Sequence, residues 1–331
     1  MSDFLDLCYA AIKIQEKSIA NTLENVKMSN ERDLKRKRII LVGAGDSYAV
    51  ADYGKWAFLS ISLDAYCISP TEIGYIPLDS ECIVIGVTAS GRSIATIDAL
   101  RKAKLKGAKT IVLTDNPKGK AAEEASEVWT TRAGVESYNV SPASPTTTAM
   151  AYLLKIASEI KSQIQDDLQY DLEILSRNGE KMLDWAEKEG IAISGMISPK
   201  TPLYMISDGP NYIAAQIGMM KFDEFSIIKG IAALREEFCH HHNLSIKDGE
   251  QVVLISTNPI APSDEQYLGI LSGILNMQTY HLHNNLGLRT PLVQAIPNTI
   301  ALQMAAHFTV RRFNPEMIGF KMPHAKAFKI Y

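Results

Sequence analysis

Two short runs of small and hydroxylated residues carry the most suggestive chemistry in the chain. Gly43-Ala44-Gly45-Asp46-Ser47-Tyr48 follows the apolar run Ile39 to Val42, and Thr88-Ala89-Ser90-Gly91-Arg92-Ser93 follows Ile83 to Val87. At the start of a helix such a turn presents backbone N–H groups at the positive end of the helix dipole, and side-chain hydroxyls add further donors. The first run lacks the third glycine of a dinucleotide fingerprint, because Tyr48 stands in its place. It suits hydroxyls or an anion rather than a dinucleotide. The second run, with its three hydroxyls and one glycine, favours a phosphate monoester. The absence of a P-loop lysine argues against a nucleoside triphosphate. A further hydroxyl cluster, Ser141 to Thr148 (SPASPTTT), again precedes a helical pattern. One such cluster usually does no more than cap a helix, but two in one half of the chain point to a small-phosphate site.

These turns sit within an alternation of strands and helices. The first thirty-odd residues read as helix, with Leu5, Ile12 and Ile19 on an apolar stripe. A buried strand at residues 39–42 leads to a helix at 47–59, and strand-like runs follow at 65–68 and 82–87. A helix at 94–105 precedes a strand at 109–114, then come a short helix at 118–124, a strand at 128–131 and a long helix at 146–164. Strands alternating with helices of this length predict a parallel sheet covered on both faces. The charged, periodic segment 166–188 reads as a helical connector. The pattern then restarts with a strand at 202–206, the turn Ser207 to Tyr212, an Ala-, Ile- and Met-rich helix and the strand at 251–257 (QVVLIST). Pairing IILVGAGDSYAVA with PLYMISDGPNYIAA suggests an internal duplication. The expected class is therefore α/β: two doubly wound, three-layer halves. The segments are a helical stretch over 1–37, a first domain over 38–165, a connector over 166–195, a second domain over 196–315 and a tail over 316–331.

The 331 residues contain 34 basic and 37 acidic side chains, a net charge of −3, so no global basic field would hold nucleic acid or anionic lipid. The N-terminus lacks a basic flank followed by a long apolar stretch, so no signal peptide is expected. The longest charge-free stretches are too rich in Asn, Gln, His and Pro to suggest a membrane-spanning helix. Four widely separated cysteines, without a CxxC, read as reduced thiols in a cytoplasmic protein.

The runs GAGDSYAVA, VTASGRSIATIDALRKAKLKGAKTIVLTD and RAGVESYNVSPAS, with the doubled halves, resemble the sugar isomerase (SIS) family, above all the isomerase region of the glutamine–fructose-6-phosphate transaminases. The resemblance runs from about Arg38 to Tyr331. It implies that Thr88, Ser90 and Ser93 hold a sugar phosphate, and that Gly45, Asp46, Ser47 and the stretch from Val140 to Ser144 line the sugar. In the second half, Lys221-Phe222-Asp223-Glu224 resembles a K-x-x-E motif whose glutamate, here Glu224, moves a proton between C1 and C2. Glu237-Phe238-Cys239-His240 resembles an E-x-x-H motif whose histidine, here His240, opens the sugar ring. Met322-Pro323-His324-Ala325-Lys326 resembles the tail in which Ala325 meets the substrate and Lys326 reaches its carbonyl.

Taken without the family, Glu224 would be a solvated helix residue and Lys326 a solvated tail residue. The run His240-His241-His242 would not converge on one metal ion, since adjacent helical side chains diverge by about 100°. The chain also departs from the family pattern. His241-His242 stands where Gly-Pro is usual, Arg92 replaces an acidic residue, and Ala44-Gly45-Asp46-Ser47 replaces Cys-Gly-Thr-Ser. No glutaminase segment precedes residue 38, which turns the expectation toward deamination or free-ammonia chemistry. The resemblance thus implies aldose–ketose isomerisation with deamination of an amino sugar phosphate, glucosamine 6-phosphate to fructose 6-phosphate plus ammonia. It implies no metal or redox cofactor, no nucleic-acid or membrane partner, and a homodimer in which His240 reaches the neighbour's site. The alternatives are a deglycase of a fructosamine 6-phosphate adduct and a non-catalytic sugar-phosphate sensor.

Overall fold

A computed structural model describes residues 3–26, 31–135, 140–141, 143–320 and 327–330. The chain opens with three helices, α1 (Asp3–Lys13), α2 (Gln15–Asn25) and α3 (Glu31–Arg36). Leu5, Ile12 and Ile19 are all buried, as the apolar stripe predicts. Two compact units follow from the packing. One comprises residues 14–177 with the described tail residues 327–330; the other comprises residues 178–320 with residues 3–13.

In the amino-terminal unit the elements run β1 (Arg38–Val42), α4 (Asp46–Leu59), β2 (Ala65–Ile68), β3 (Cys82–Val87), α5 (Ile94–Leu105), β4 (Lys109–Thr114), α6 (Lys120–Glu124), β5 (Glu127–Thr130), α7 (Ser144–Glu159) and α8 (Gln165–Arg177). The five strands pair in parallel in the order β2-β1-β3-β4-β5. β3 is buried along its whole length, as a central strand covered on both faces requires. Ile40, Val42, Val84 and Val112 pack on one face against Ile97, Leu100 and Ala103 of α5. Connections leave β1 toward β2 on one side and reach β3 on the other, so the strand order reverses between β1 and β3. In an open α/β sheet that reversal opens a crevice at the carboxyl ends of the strands.

The carboxy-terminal unit repeats the scheme with α9 (Gly179–Met196), β6 (Leu203–Ser207), α10 (Asn211–Glu224), β7 (Gly230–Leu234), α11 (Arg235–His240), β8 (Gln251–Ile255), α12 (Pro262–Gly269), β9 (Gln278–Leu282) and α13 (Pro291–Phe313). Its four strands are parallel in the order β7-β6-β8-β9, reversing between β6 and β8. The hydroxyl of Thr290 caps α13 by accepting the Val293 N–H at 3.3 Å.

The structure corrects three sequence expectations. α7 stops at Glu159, because Ile160 leaves helical geometry and buries its side chain. The charged connector is two helices, α8 and α9, separated at Asn178, which stands outside helical geometry at φ −111° and ψ 26°. Strands β7 and β9 were not anticipated. β7 is the short, alanine-containing GIAAL, and β9 is an edge strand, QTYHL, that reads as a polar loop.

Candidate functional site

Both glycine and hydroxyl turns of the amino-terminal unit lie at the carboxyl ends of β1 and β3, the two strands at which the order reverses. After β1, Gly45 adopts φ +58°, a left-handed conformation that glycine takes at little cost, and α4 starts at Asp46. Asp46 accepts a hydrogen bond from the Thr146 hydroxyl of α7 at 3.4 Å, which ties this turn to the start of that helix. Gly45 is exposed, whereas Asp46 and Ser47 are half-buried.

After β3, the buried Thr88 donates its N–H to the Leu113 carbonyl at 3.0 Å, continuing the sheet ladder by one residue. The chain then turns: the Gly91 N–H reaches the Thr88 carbonyl at 3.2 Å and the Arg92 N–H reaches the Ser90 hydroxyl at 3.3 Å. Ser93 immediately precedes α5, and its hydroxyl oxygen accepts the Thr96 hydroxyl at 3.1 Å. Ser90 and Ser93 remain half-buried. The turn is held from behind by the β4–α6 loop. Asn116 donates its amide to the Ser90 carbonyl at 3.0 Å, and the Ala121 N–H donates to the Gly91 carbonyl at 3.0 Å. Gly91, at φ +66°, lies so close to Gly119 that a Cβ on either residue would meet the other's Cα at 3.0 Å or less.

The second hydroxyl cluster serves the interior. The Ser144 hydroxyl donates to the Ala133 carbonyl at 2.7 Å, Thr147 donates to the Gln15 side chain at 2.6 Å, and Thr148 donates to the Ser144 carbonyl at 2.7 Å. All three residues are fully buried, and Val140 is also buried. Asp115 braces the same region by accepting the Ala133 N–H at 2.8 Å and the Thr131 hydroxyl at 3.2 Å. Burial raises its pKa above the ordinary aspartate value against the pull of these donors.

In the carboxy-terminal unit, Glu224 is the last residue of α10 and a third exposed, and both its oxygens lie 3.0 Å from Lys221 Nζ. The Lys221 side chain is only 1% exposed. A buried ammonium needs such a carboxylate, since an uncompensated one would cost several kcal/mol. The chain neighbours Phe222 and Phe225 are buried, and Asp223 accepts the Gly230 N–H at 2.9 Å. Lys221 appeared in the sequence only as the first letter of a motif; its burial is what gives it a role. His240 ends the short helix α11, largely exposed, with its Nε2 2.9 Å from Glu236. His242 instead packs on Phe238, ring centroids 6.2 Å apart, and on Tyr204 at 6.0 Å. Lys326 and Ala325 lie outside the described residues. Four residues on from Lys326, the Ile330 carbonyl accepts the Ile94 N–H at 3.4 Å.

The carboxyl edge of the second sheet is occupied by its own side chains. Arg235 pairs with Asp264 and Asp208 and donates to the Ser256 hydroxyl at 3.1 Å, and His281 Nε2 approaches the same hydroxyl at 2.9 Å. No local pattern in the sequence marks Arg235, Asp264 or His281. Burial, and then His283, push the His281 pKa down.

Two parallel sheets whose strand order reverses beside the first strand of each, one with a hydroxyl-rich turn at that point, define an α/β protein of the doubly wound class. Residues 34–157 match the SIS domain family, so this stretch of the chain is an SIS domain. It is homologous to the isomerase region of glutamine–fructose-6-phosphate aminotransferase: against the isomerizing enzyme of Aquifex aeolicus it is 30% identical over 269 residues, 78% of this chain and 44% of that one. The chain spans about two fifths of the length of the curated relatives it matches. Among solved structures, the C-terminal domain of glucosamine-fructose-6-phosphate aminotransferase from Francisella tularensis superposes with a TM-score of 0.76 at 20% identity, covering 91% of this chain and 94% of that one. Glucosamine-6-phosphate deaminase from Thermotoga maritima superposes at 0.69 with 16% identity, covering 92% and 95%. These two likenesses establish the fold. No helix among the described residues is long and apolar enough to cross a membrane.

Proposed function

We propose that the chain is a sugar-phosphate enzyme that couples aldose–ketose isomerisation to deamination, converting glucosamine 6-phosphate and water into fructose 6-phosphate and ammonia. The observation that carries the reading is the Lys221–Glu224 pair: a carboxylate one third exposed, backed by a buried ammonium. A group that must take a proton from one carbon and return it to the next needs an accessible carboxylate in a fixed position. A protein that only sensed a sugar phosphate would have use for the hydroxyl turn and none for this pair.

In this reading Thr88, Ser90 and Ser93 hold the phosphate, and Gly45, Asp46 and Ser47 take sugar hydroxyls. His240 opens the ring, and Glu224 removes the proton from C2 and delivers it to C1. The resulting C2 imine is hydrolysed by water, releasing ammonia and leaving the ketone. Lys326 assists at C2, either by polarising it or by exchanging with the amine as a Schiff base. The acidity of the α-proton supplies the reactivity, so the scheme calls for no metal or redox group. The exposure of His240, whose Nε2 lies beside Glu236 of its own helix, supports a homodimer in which this ring serves the neighbouring subunit. The absence of a spanning helix among the described residues and the SIS homology support a cytoplasmic setting.

The test is incubation of the full chain with hexose and hexosamine 6-phosphates in D2O, reading ammonia, ketose and deuterium. Ammonia and ketose in equal amounts from glucosamine 6-phosphate, with deuterium entering C1, is the expected result. Failure to turn over any member of the panel overturns the enzyme reading. Borohydride in the presence of substrate should fix an adduct on Lys326 if the amine exchange occurs.

A further inference from the structure

Behind the phosphate turn lies a second feature that the reaction does not use. A cavity of about 440 Å³ opens between the start of α5 and the β4–α6 loop, lined by Arg92, Ile94, Ile97, Asn116, Lys118, Gly119 and Lys120. Three of these residues are cationic and none is acidic. Thr88, Ser90 and Ser93 are absent from the lining, so the cavity is distinct from the hydroxyl face of the turn. Among the described residues neither Lys118 nor Lys120 has a carboxylate within ion-pair distance, whereas Arg101, on the outer part of α5, has both Asp98 and Glu124. Lys118 and Lys120, set at a concave, partly apolar wall with no carboxylate among the described residues within ion-pair distance, create a local positive potential in a chain whose net charge is negative. An anion there would meet two lysines beside the apolar side chains of Ile94 and Ile97.

We propose that this cavity is an effector site for a small molecule bearing a phosphate or diphosphate group, separate from the substrate's phosphate. Its walls are shared with two parts of the machinery assigned above, and the proposal rests on that assignment. Arg92 lies between Gly91 and Ser93, and Asn116 donates to the Ser90 carbonyl, so movement of the β4–α6 loop is transmitted to the phosphate turn. The Gly91–Gly119 approach leaves no space to absorb such a movement. Ile94, also in the wall, donates its N–H to the Ile330 carbonyl, which links the cavity to the tail that carries Lys326. Occupation of the cavity would therefore change the affinity for substrate phosphate, and substrate phosphate would change the affinity of the cavity by the same factor.

The test is calorimetric titration of the full chain with inorganic pyrophosphate, compared with Lys118→Glu/Lys120→Glu and with Ser90→Ala/Ser93→Ala. Saturable binding that weakens about tenfold or more in the lysine variant and persists in the serine variant is the expected result. Equal binding in the native chain and the lysine variant, or loss in the serine variant alone, overturns the proposal by assigning pyrophosphate to the hydroxyl turn. Circular dichroism of each variant separates loss of the site from loss of the fold. Because this titration needs no turnover, a chain that binds pyrophosphate through the lysines but converts no sugar phosphate would sink the enzymatic reading while leaving the site standing.

Discussion

The two units share a strand order and differ in what stands at its reversal. In the amino-terminal sheet Thr88 follows β3 and donates its N–H to Leu113 of β4; in the carboxy-terminal sheet Ser256 follows β8 and donates its N–H to Leu282 of β9, both at 3.0 Å. From that common point they diverge. After Thr88 the chain makes a glycine turn with half-buried serines and enters the twelve-residue helix α5. The Ser256 hydroxyl is instead enclosed by Arg235 and His281, and Arg235 is held by two carboxylates. The first edge can exchange water for a ligand's oxygens, because its hydroxyls are reachable. At the second, Arg235, Ser256 and His281 already engage one another and two carboxylates, and a ligand would have to break charged pairs to enter. One architecture therefore leaves hydroxyls reachable at the edge of one unit and encloses the hydroxyl at the edge of the other. In the second unit the accessible carboxylate lies elsewhere, at the far end of α10.

If this division holds, variants in the two units should fail in different kinetic parameters. The largest effect belongs to the second unit. Glu224→Gln keeps the hydrogen-bonding shape and removes the base, so kcat should fall by about 10²–10⁴-fold, with deuterium exchange at C1 slowed in parallel. Binding of a sugar phosphate, measured by calorimetry, should change little. Native turnover in this variant would remove Glu224 from the chemistry. The next effect belongs to the first unit. Ser90→Ala with Ser93→Ala removes two hydroxyls from the phosphate turn, each hydrogen bond to a charged group being worth roughly 1.5–3 kcal/mol at most, so KM should rise by up to about 10²–10⁴-fold. Here kcat at saturation should stay close to native. A drop in kcat with an unchanged KM would dissolve the contrast between the units.

How much of this the residues disclosed also differs between the units. The amino-terminal sheet was legible because its central strands are continuous apolar runs ending in glycine and hydroxyl turns, a pattern with few other uses. In the second sheet β7 and β9 escaped notice: GIAAL lacks large β-branched residues on most positions, and QTYHL is polar because an edge strand needs no second buried flank. Glu224 was reached through family resemblance alone, since a glutamate between two phenylalanines has no periodicity that marks it. What gives it physical weight is the burial of Lys221, which no local pattern reveals. The second hydroxyl cluster misled in the opposite direction. Ser144, Thr147 and Thr148 have the composition of a phosphate turn, yet Ser144 and Thr147 turn inward to Ala133 and Gln15, distant in sequence, and Thr148 donates back to the Ser144 carbonyl of its own helix.

The smallest predicted effect separates the units by their response to acid. Every histidine among the described residues lies in the carboxy-terminal unit. There His307 of α13 is 2% exposed and stacks on Tyr9 of α1 at 5.2 Å, while Arg311 donates to its Nε2 at 3.3 Å. Tyr9 in turn donates to Glu187 of α9, which also holds Lys13, and Arg311 pairs with Asp6. Burial, and then the Arg311 guanidinium, lower the His307 pKa from 6.5 to about 4. The unfolded chain therefore binds this proton more readily than the folded one. Stability is complete above about pH 6.5 and is lost as the pH falls toward about 4, amounting to about 2 kcal/mol by pH 5. Asp115, in the other unit, has the opposite sign: its raised pKa means that the folded state gains relative stability as acid protonates it. Hydrogen exchange read by mass spectrometry at pH 7 and pH 5, corrected for intrinsic rates, should show protection falling in α1 and α13 while α4 and α7 change less. His307→Gln, which keeps a polar side chain but cannot take up the proton, should flatten the response of α1 and α13. Equal loss of protection in both units, or an unchanged slope in that variant, would remove His307 as the cause.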